Sequence, residues 1–349
     1  MFSRSSVYED VFIGLCYYAT KDHGLIPHKI KNTPSSFKVE EIIDDNLVTR
    51  DGDIYIYRIK KRWGISSSFL SKILSKYGAI TLGRKDKYAD AIQYILSKKR
   101  IKKRGFDFIG SIPNGLKPHD LHIGNRFEIK VKIEDDGYIY RREIEEIIYD
   151  EIIKNDIPNY YSYQRFGKRR INHLKGYNII KEIAEKAKNK INSKYIDKHG
   201  GKYIVTLLLN SFQAYIFNNT LNLSIKKDGR LPRNVTKITI KNIRGYKIIE
   251  DAFPIIGYGL TYRIPELEEV VIKIGFTLYD IKRILYNLRF VGIDLYGDLR
   301  ITKIFFLERP EIEFDRDTMN IKFSLPRGQY ATQVLREILK PRYPSSQGY

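Results

Sequence analysis

The stretch from Arg126 to Ile133 alternates strictly between polar and apolar residues. Successive side chains of a β-strand point to opposite faces of a sheet, so this pattern predicts a strand with one buried face. The predicted buried face comprises Phe127, Ile129, Val131 and Ile133. The same alternation predicts further strands over residues 37–43, 53–60 and 320–325.

Apolar residues spaced three and four apart predict helices between these strands. The predicted helices cover residues 67–77, 144–152, 179–191, 204–221 and 332–339, and a turn is predicted at 135–137. In the first helix Phe69, Ile73 and Leu74 are expected to share the buried face. Strands and helices are mixed without a regular βαβ order, which favours an α+β fold over a doubly wound α/β fold.

The charge balance is strongly positive, with 62 Lys and Arg against 41 Asp and Glu and a net charge of +21. Hydrophobic residues make up 42% of the chain, which excludes a largely disordered protein. Basic runs interleaved with Tyr, Phe and Gly lie at 98–104, 165–175 and 226–247. Three such runs favour RNA or DNA over solvated faces that only aid solubility. A membrane surface is a further alternative, which the strand-like alternation after residue 235 weakens.

The chain contains one cysteine, Cys16, which excludes an intrachain disulfide and a cysteine-based zinc site. The apolar run from Val11 to Tyr18 is far shorter than the roughly 20 residues that span a bilayer. The first residues lack the order of a signal peptide. We therefore expect a soluble, cytoplasmic protein without a membrane partner.

Motifs for nucleotide and metal chemistry are absent from the sequence. There is no phosphate-binding loop, and Gly257-Tyr258-Gly259 is too short for a dinucleotide fingerprint. His119 and His122 lie close together, but no third ligand accompanies them. Neither a nucleotide cofactor nor a metal is expected.

One charged segment is unusual on physical grounds: Asp86 lies between Lys85 and Lys87, directly after Gly83 and Arg84. Neighbouring cations lower the pKa of a carboxyl group and keep it ionised, so Asp86 is able to act as a nucleophile or a base. An ordinary charged turn is the alternative interpretation.

The segment Gly83–Ala89 resembles the Gly-x-Lys-Asp-Lys/Arg-x-Ala motif of the TruD family of tRNA pseudouridine synthases. Six further segments resemble family motifs in the expected order: Lys31–Glu40, Gly124–Phe127, Asn159–Gly167, Ser211–Asn218, Pro254–Tyr258 and Leu325–Glu337. The resemblance covers nearly the whole chain. It departs at Ala91, where the family commonly has Thr, and at Tyr161-Ser162, where Phe-Gly is usual. These departures bear on substrate preference and rate more than on the reaction class.

The resemblance implies a pseudouridine synthase domain with a mixed, mainly antiparallel sheet, formed by residues 1–167 and 304–349. Residues 168–303 would be an inserted α+β domain. The insertion holds 25 basic and 12 acidic side chains in residues 169–303, a net charge of +13. A cleft that is basic on both walls would bind tRNA, and the expected target is uridine 13 of the D arm.

The resemblance also implies roles for individual residues. Asp86 would act at C1′ as a nucleophile or at C2′ as a base, and Lys31 would pair with it, with a phosphate contact as the alternative for Lys31. Asn125 would hydrogen-bond near the site, and Phe127 would stack on the flipped uracil unless it is a core residue. Gln164 and Arg165 would line the cleft, and Arg165 would contact a phosphate.

Two other classes of function remain open at this point. The same fold could serve as a non-catalytic RNA-binding or tRNA-chaperoning protein, or the chain could be a metal-dependent nuclease. The sequence makes no prediction of the oligomeric state.

Overall fold

A computed structural model describes residues 2–21, 26–134, 139–154, 156–185, 191–233, 236–243, 246–262 and 264–349. The predicted turn at 135–137 and part of the predicted helix over 179–191 lie outside these residues. Within them, no helix is long and apolar enough to cross a membrane.

The strands, in chain order, are β1 (Ser3–Arg4), β2 (Tyr17–Tyr18), β3 (His28–Lys29), β4 (Phe37–Ile43), β5 (Ile54–Lys61), β6 (Ala79–Thr81), β7 (Asp90–Ser97), β8 (Asp107–Ile112), β9 (His122–Ile133), β10 (Lys237–Lys241), β11 (Lys247–Ile255), β12 (Asp298–Ile301), β13 (Glu308–Asp315) and β14 (Thr318–Pro326). The helices are α1 (Tyr8–Phe12), α2 (Ser67–Ser75), α3 (Pro118–Leu121), α4 (Arg141–Glu146), α5 (Asn172–Glu185), α6 (Ser193–Lys198), α7 (Gly201–Asp228), α8 (Pro265–Lys273), α9 (Leu278–Leu288) and α10 (Ala331–Leu339). The strands predicted from alternation are confirmed as β4, β5, β9 and β14.

The helices predicted over residues 67–77 and 332–339 are confirmed as α2 and α10, with one correction to α2. In α2 the Ser66 hydroxyl accepts a hydrogen bond from the Phe69 amide and caps the helix. The predicted buried face is wrong in part, because Phe69 is 56% exposed and Ile73 lies near the surface, whereas Leu74 is buried. The helix packs beside the short strand β6, so only its Leu70 and Leu74 row is covered.

The central sheet has the strand order β13-β14-β9-β4-β7-β5-β8. In addition, β3 pairs with β9, and β6 pairs with β7. Strands β4 and β7 run parallel, and the other neighbours in this sheet run antiparallel. The fold is therefore α+β with a mixed, mainly antiparallel sheet, as predicted. A smaller antiparallel sheet of β10, β11 and β12 lies wholly within residues 168–303.

The parallel pairing of β4 and β7 has a direct consequence for the segment around Asp86. Val39 pairs with Ala91, so the two strands begin at the same edge of the sheet. The residues that precede β4 include Lys31, and those that precede β7 include Asp86. Two segments far apart in sequence are thereby brought side by side.

One continuous hydrophobic cluster connects the central sheet with the helices of residues 168–303, which we call the inserted segment. It extends from Phe37 in β4 to Leu288 in α9. Helix α7 is the main link. Its Asn218 side chain donates to the carbonyls of Ile13, at 3.1 Å, and Tyr161, at 3.0 Å, and accepts from the Tyr161 amide at 2.8 Å. The two sheets are distinct, but their packing is shared.

Candidate active site

The carboxylate of Asp86 is held from two sides. Its Oδ2 lies 2.8 Å from Lys31 Nζ, and its Oδ1 accepts a hydrogen bond of 2.8 Å from the Tyr88 amide. The Asp86 side chain is 20% exposed and that of Lys31 is 7% exposed. The arrangement orients a carboxylate that substrate can still reach.

The surroundings of Asp86 keep it ionised. Burial on its own would raise the pKa of this carboxyl group, but the charge and hydrogen bond of Lys31, the Tyr88 amide and the charge of Lys61 together lower it below the usual value. An ionised carboxylate is the form that acts as a nucleophile or a base.

Lys31 itself has a strained backbone, with φ at +54°. A non-glycine residue in this region costs on the order of 1–3 kcal/mol and persists only where the surroundings enforce it. Here the segment 343–349, which we call the strap, holds the preceding residues. The Gln347 carbonyl accepts from the Ile30 amide at 2.9 Å, and the Tyr349 hydroxyl hydrogen-bonds to His28 Nε2 at 2.9 Å.

A second lysine supports the chain on the other side of Asp86. Lys61 is 1% exposed, and its Nζ donates to the carbonyls of Ala89, at 2.7 Å, and Ile65, at 3.2 Å. Burial lowers the pKa of Lys61, while the charges of Asp86 and Asp90 oppose that shift. Lys61 therefore links the end of the loop that carries Asp86 to the loop after β5 and adds positive charge near Asp86.

Beside the Asp86 pair lies a second ion pair, between Lys85 and Glu41 in β4. The Glu41 side chain is fully buried, and its other oxygen accepts from the Tyr94 amide at 2.7 Å. Burial lowers the pKa of Lys85, and the carboxylate of Glu41 opposes the shift. Lys85 therefore does not face solvent, and its ion pair with Glu41 anchors the loop that carries Asp86 to the sheet.

Asn125 lies opposite Glu41 across the β4–β9 pairing. Its Oδ1 is buried, and burial lowers the pKa of the neighbouring His122 while a hydrogen bond with the Asn125 side chain opposes that shift. A carbonyl oxygen accepts two hydrogen bonds, so Asn125 can still receive a donor from a ligand.

Phe127 is 7% exposed and packs between two other rings. Its centroid lies 6.3 Å from that of Phe37 and 5.5 Å from that of Phe323. Lys31 Nζ lies 5.1 Å from the centroid of Phe37, so three successive contacts, through Lys31 and Phe37, separate Phe127 from Asp86. Its role in stacking on a base stays a prediction.

Gln164 and Arg165 lie in a short helical turn, Tyr163–Phe166, away from the Lys31–Asp86 pair in the hydrogen-bond network. Gln164 Oε1 accepts from the Thr332 hydroxyl at 3.0 Å. Arg165 lies over the ring of Tyr161, at 5.1 Å, and lines a cavity of about 220 Å³ together with Tyr296 of the inserted segment. The structure pairs Lys31 with Asp86, places Asn125 and Phe127 on β9 beside β4, and places Gln164 and Arg165 in a separate turn.

Sequence reasoning missed Glu41 and Lys61, although both carry a detectable signal. Each stands at an apolar position of an alternating strand: Glu41 follows Phe37 and Val39, and Lys61 follows Ile59. A charged residue at such a position is buried, and it needs an opposite charge or hydrogen bonds to offset the cost of burial. His122, also missed as a neighbour of the site, is buried and hydrogen-bonds to the Gly124 carbonyl at 2.9 Å.

The positions that depart from the family motifs are packed in the interior. Ala91 is 2% exposed and pairs with Val39 where β7 and β4 run side by side. Tyr161 lies under Arg300, at 4.0 Å from guanidinium to ring centroid, and the Ser162 and Thr332 hydroxyls are 2.8 Å apart. Across the described ranges, no group of three or more His, Cys, Asp or Glu side chains could hold a metal ion.

The site is therefore centred on one ionised, partly exposed carboxylate that is held by lysines on a mixed sheet. Comparisons with known proteins identify the family. The model of the family described as tRNA pseudouridine synthase D (TruD) matches residues 12–203, more than half of the chain. The chain belongs to this family.

Individual relatives resemble the chain over most of its length. A Pyrococcus furiosus protein named "Probable tRNA pseudouridine synthase D" is 26% identical over 94% of this chain and 99% of its own. A Nanoarchaeum equitans protein of the same name is 28% identical over 86% of this chain and 90% of its own. A crystal structure of a Methanosarcina mazei protein described as TruD shares the fold, with a TM-score of 0.65, 19% identity, and coverage of 98% of this chain and 100% of that one.

Proposed function

We propose that this protein is a tRNA pseudouridine synthase and that Asp86 is its catalytic carboxylate. Family membership supports the reaction class, and the names of the relatives support tRNA as the substrate. The observation that carries the assignment of Asp86 is its ion pair with Lys31, in which a carboxylate is kept charged, oriented and partly open to solvent.

The reaction is an isomerisation, so no atoms are gained or lost overall. The N1–C1′ bond of a uridine breaks, the base turns over, and a C5–C1′ bond forms while the proton on C5 is lost and N1 gains one. Asp86 acts either by attacking C1′ or by removing the C2′ proton, and in both routes it must be ionised when the uridine arrives.

The neighbouring residues suit the remaining tasks. The buried Oδ1 of Asn125 can accept a hydrogen bond from the detached base. Phe127 and Phe37 supply apolar surface beside Lys31. Lys31 stays with Asp86 instead of a phosphate, whereas the exposed Arg84 and Lys87 of the same loop are free to face the RNA backbone.

The division of labour within the chain is also part of the proposal. Residues 1–167 and 304–349 supply the catalytic sheet, and residues 168–303, with a net charge of +14, supply much of the binding energy for tRNA. The proposed target is uridine 13 of the D arm, the reaction needs no cofactor, and the cytoplasm is the expected compartment.

Replacing Asp86 by Asn tests the assignment, because the amide keeps the shape of the side chain and cannot act as a nucleophile or a base. We expect Asp86→Asn to abolish pseudouridine formation on an unmodified tRNA transcript while tRNA affinity changes little. Asp107→Asn, at an exposed carboxylate of β8, is the matched control and should retain full activity.

Three results would overturn parts of the proposal. If the wild-type protein forms no pseudouridine across a full set of tRNA transcripts, the non-catalytic RNA-binding alternative replaces it. Cleavage of the RNA chain that stops when a chelator is added would favour a metal-dependent nuclease. Pseudouridine at a position other than 13 would correct the target and leave the role of Asp86 intact.

A further inference from the structure

Several aromatic side chains stand in solvent on one face of the inserted segment. Tyr279, Tyr286 and Phe290 follow one another at helical spacing along α9 and the turn that extends it. They are 72%, 46% and 77% exposed. Phe290 has no polar atom to bind water, and a cluster of large exposed rings is typical of an interaction surface.

Two of these rings, Tyr286 and Phe290, belong to a connected group that we call the aromatic array, formed by Tyr258, Tyr286, Phe290 and Tyr296. Ring centroids are 5.7 Å apart for Tyr286 and Phe290, 6.0 Å for Tyr258 and Tyr286, and 5.1 Å for Tyr258 and Tyr296. Tyr296 is itself 62% exposed. The array therefore extends continuously from α9 to the segment before β12.

A permanent positive charge lies within the array. The guanidinium of Arg289 is 4.6 Å from the centroid of Tyr258 and 5.3 Å from that of Tyr286. Arginine does not lose its proton in proteins, and its plane stacks on aromatic rings and on nucleobases alike. The array thus combines stacking surface with a charge that attracts phosphate.

Both ends of the array lead to the catalytic half of the chain. Tyr296 lines the same cavity as Arg165. At the other end, a Cβ built on Gly292 would lie 2.8 Å from Lys202 Nζ, so the chain after Phe290 lies against the start of α7.

The contact continues from α7 to the catalytic loop. The next residue after Lys202 is Tyr203, and the guanidinium of Arg84 lies 5.7 Å from its ring centroid. Arg84 precedes Asp86 by two residues. The array therefore lies on a surface that is continuous with the loop that carries Asp86.

We propose that the aromatic array binds unpaired nucleotides of the RNA substrate by stacking, next to the uridine that enters the Asp86 site. The choice of RNA rests on the proposed function. Stacking needs bases that are not covered by neighbours, so single-stranded segments fit and duplex does not. A second copy of this chain is disfavoured as the occupant, because two chains of net charge +21 repel one another.

The test uses the full-length protein and a double variant, Tyr286→Ser with Phe290→Ser, at two surface positions. The matched control is Tyr8→Ser, which removes a 77% exposed tyrosine outside the array and outside the basic runs. Binding is measured by fluorescence anisotropy with a labelled oligoadenylate of about 12 nucleotides, a length that one single-strand site covers. Oligoadenylate contains no uridine, so no turnover interferes. The same strand annealed to oligouridylate gives the duplex probe.

We expect the double variant to weaken binding of the single strand by about 10- to 100-fold, because each stacked base contributes roughly 1–3 kcal/mol. Binding of the duplex should change by less than about twofold, since its bases are already stacked. The Tyr8→Ser control should bind both probes as the wild type does.

Parallel measurement of pseudouridine formation by the wild type on a tRNA transcript separates the two proposals. No pseudouridine together with the expected loss of single-strand binding would overturn the proposed function and support the array. Normal pseudouridine formation with unchanged single-strand binding in the double variant would overturn the array alone. A change in sedimentation mass without a change in RNA binding would show that this face joins two copies of the chain, which would also overturn the proposal.

Discussion

The two lysines that form ion pairs beside Asp86, Lys31 and Lys85, are shielded from solvent, whereas Arg283 on α9 stands in solvent beside an aromatic ring. Lys31 and Lys85 are 7% and 6% exposed and each contacts a carboxylate. Arg283 on α9 is 48% exposed, lies 5.9 Å from the ring of Tyr279, and has Asp280 at only 3.9 Å. Paired charges in a poorly hydrated site fix geometry and ionisation, while exposed charges contribute long-range attraction that salt weakens. Substitutions in the first region should therefore change stability or chemistry, and those in the second should change RNA affinity.

The largest effect is expected for Lys85→Met, which leaves Glu41 buried without its partner. Breaking one side of a buried ion pair typically costs about 3–5 kcal/mol, so the free energy of unfolding should fall by that amount in urea titrations. The double variant Glu41→Gln with Lys85→Met is the control and should recover part of the loss. A decrease below about 1 kcal/mol for the single variant would mean that the pair is well solvated.

Lys31→Met should lower kcat by about 100-fold, or roughly 2.7 kcal/mol, because the carboxylate loses the cation that orients it. The pH profile sharpens this expectation. The pKa of Asp86 is lowered in the folded protein, so its ionised form is present above that pKa and is lost only as the pH falls through it.

Wild-type activity should accordingly show no acid limb from Asp86 between about pH 5 and pH 8, since an unperturbed Asp titrates near 3.9. In Lys31→Met the acid limb should move upward, because burial then acts on Asp86 with less opposition. Equal kcat loss at every pH with no shift of the limb would assign Lys31 a purely positional role.

Gly348→Ala tests whether the strap positions Lys31. A Cβ at this position would overlap the carbonyl oxygen of Ile30, directly before Lys31, and the backbone φ is +95°. We expect a decrease in kcat of about 10-fold with a smaller change in KM. A displaced Lys31 would misorient Asp86, which slows the reaction more than it weakens substrate binding. Gly105→Ala is the matched control: its φ is +88° and its Cβ would meet open space. If both variants lose activity equally, backbone strain alone explains the result.

The smallest effect is expected for Arg283→Gln, at an exposed position of α9. Its surface ion pair contributes at most about 1 kcal/mol, so the thermal midpoint should hardly change. Affinity for tRNA should decrease modestly, and the slope of log K against log salt should become shallower by about one if Arg283 contacts a phosphate. An unchanged slope would place Arg283 outside the RNA interface.

Much of the local structure could be predicted because periodicity is a local property of the chain. The alternation around Phe127 predicted β9, and the spacing of Val334, Leu335 and Ile338 predicted α10. The side of α2 that is buried could not be predicted from its own residues, because the neighbour that covers it is only the short strand β6.

The closing motif around Arg336 shows a similar limit. Sequence alone gave it no particular task, yet Arg336 is fully buried and its Nη2 lies 2.7 Å from Asp10. Its guanidinium also donates to the Leu15 carbonyl at 2.8 Å, which fastens the first 20 residues to α10. The role is structural, and it depends on a partner more than 300 residues away in the chain.

The sequence by itself determined the α+β class, the strongly basic surface and the one carboxylate flanked by cations. Only the tertiary structure decided which cation serves which carboxylate. Lys31, 55 residues before Asp86, pairs with it, and the adjacent Lys85 pairs with Glu41 instead. The physical reason is the parallel pairing of β4 and β7, since a local pattern fixes which face of a strand is buried but not which strand lies beside it.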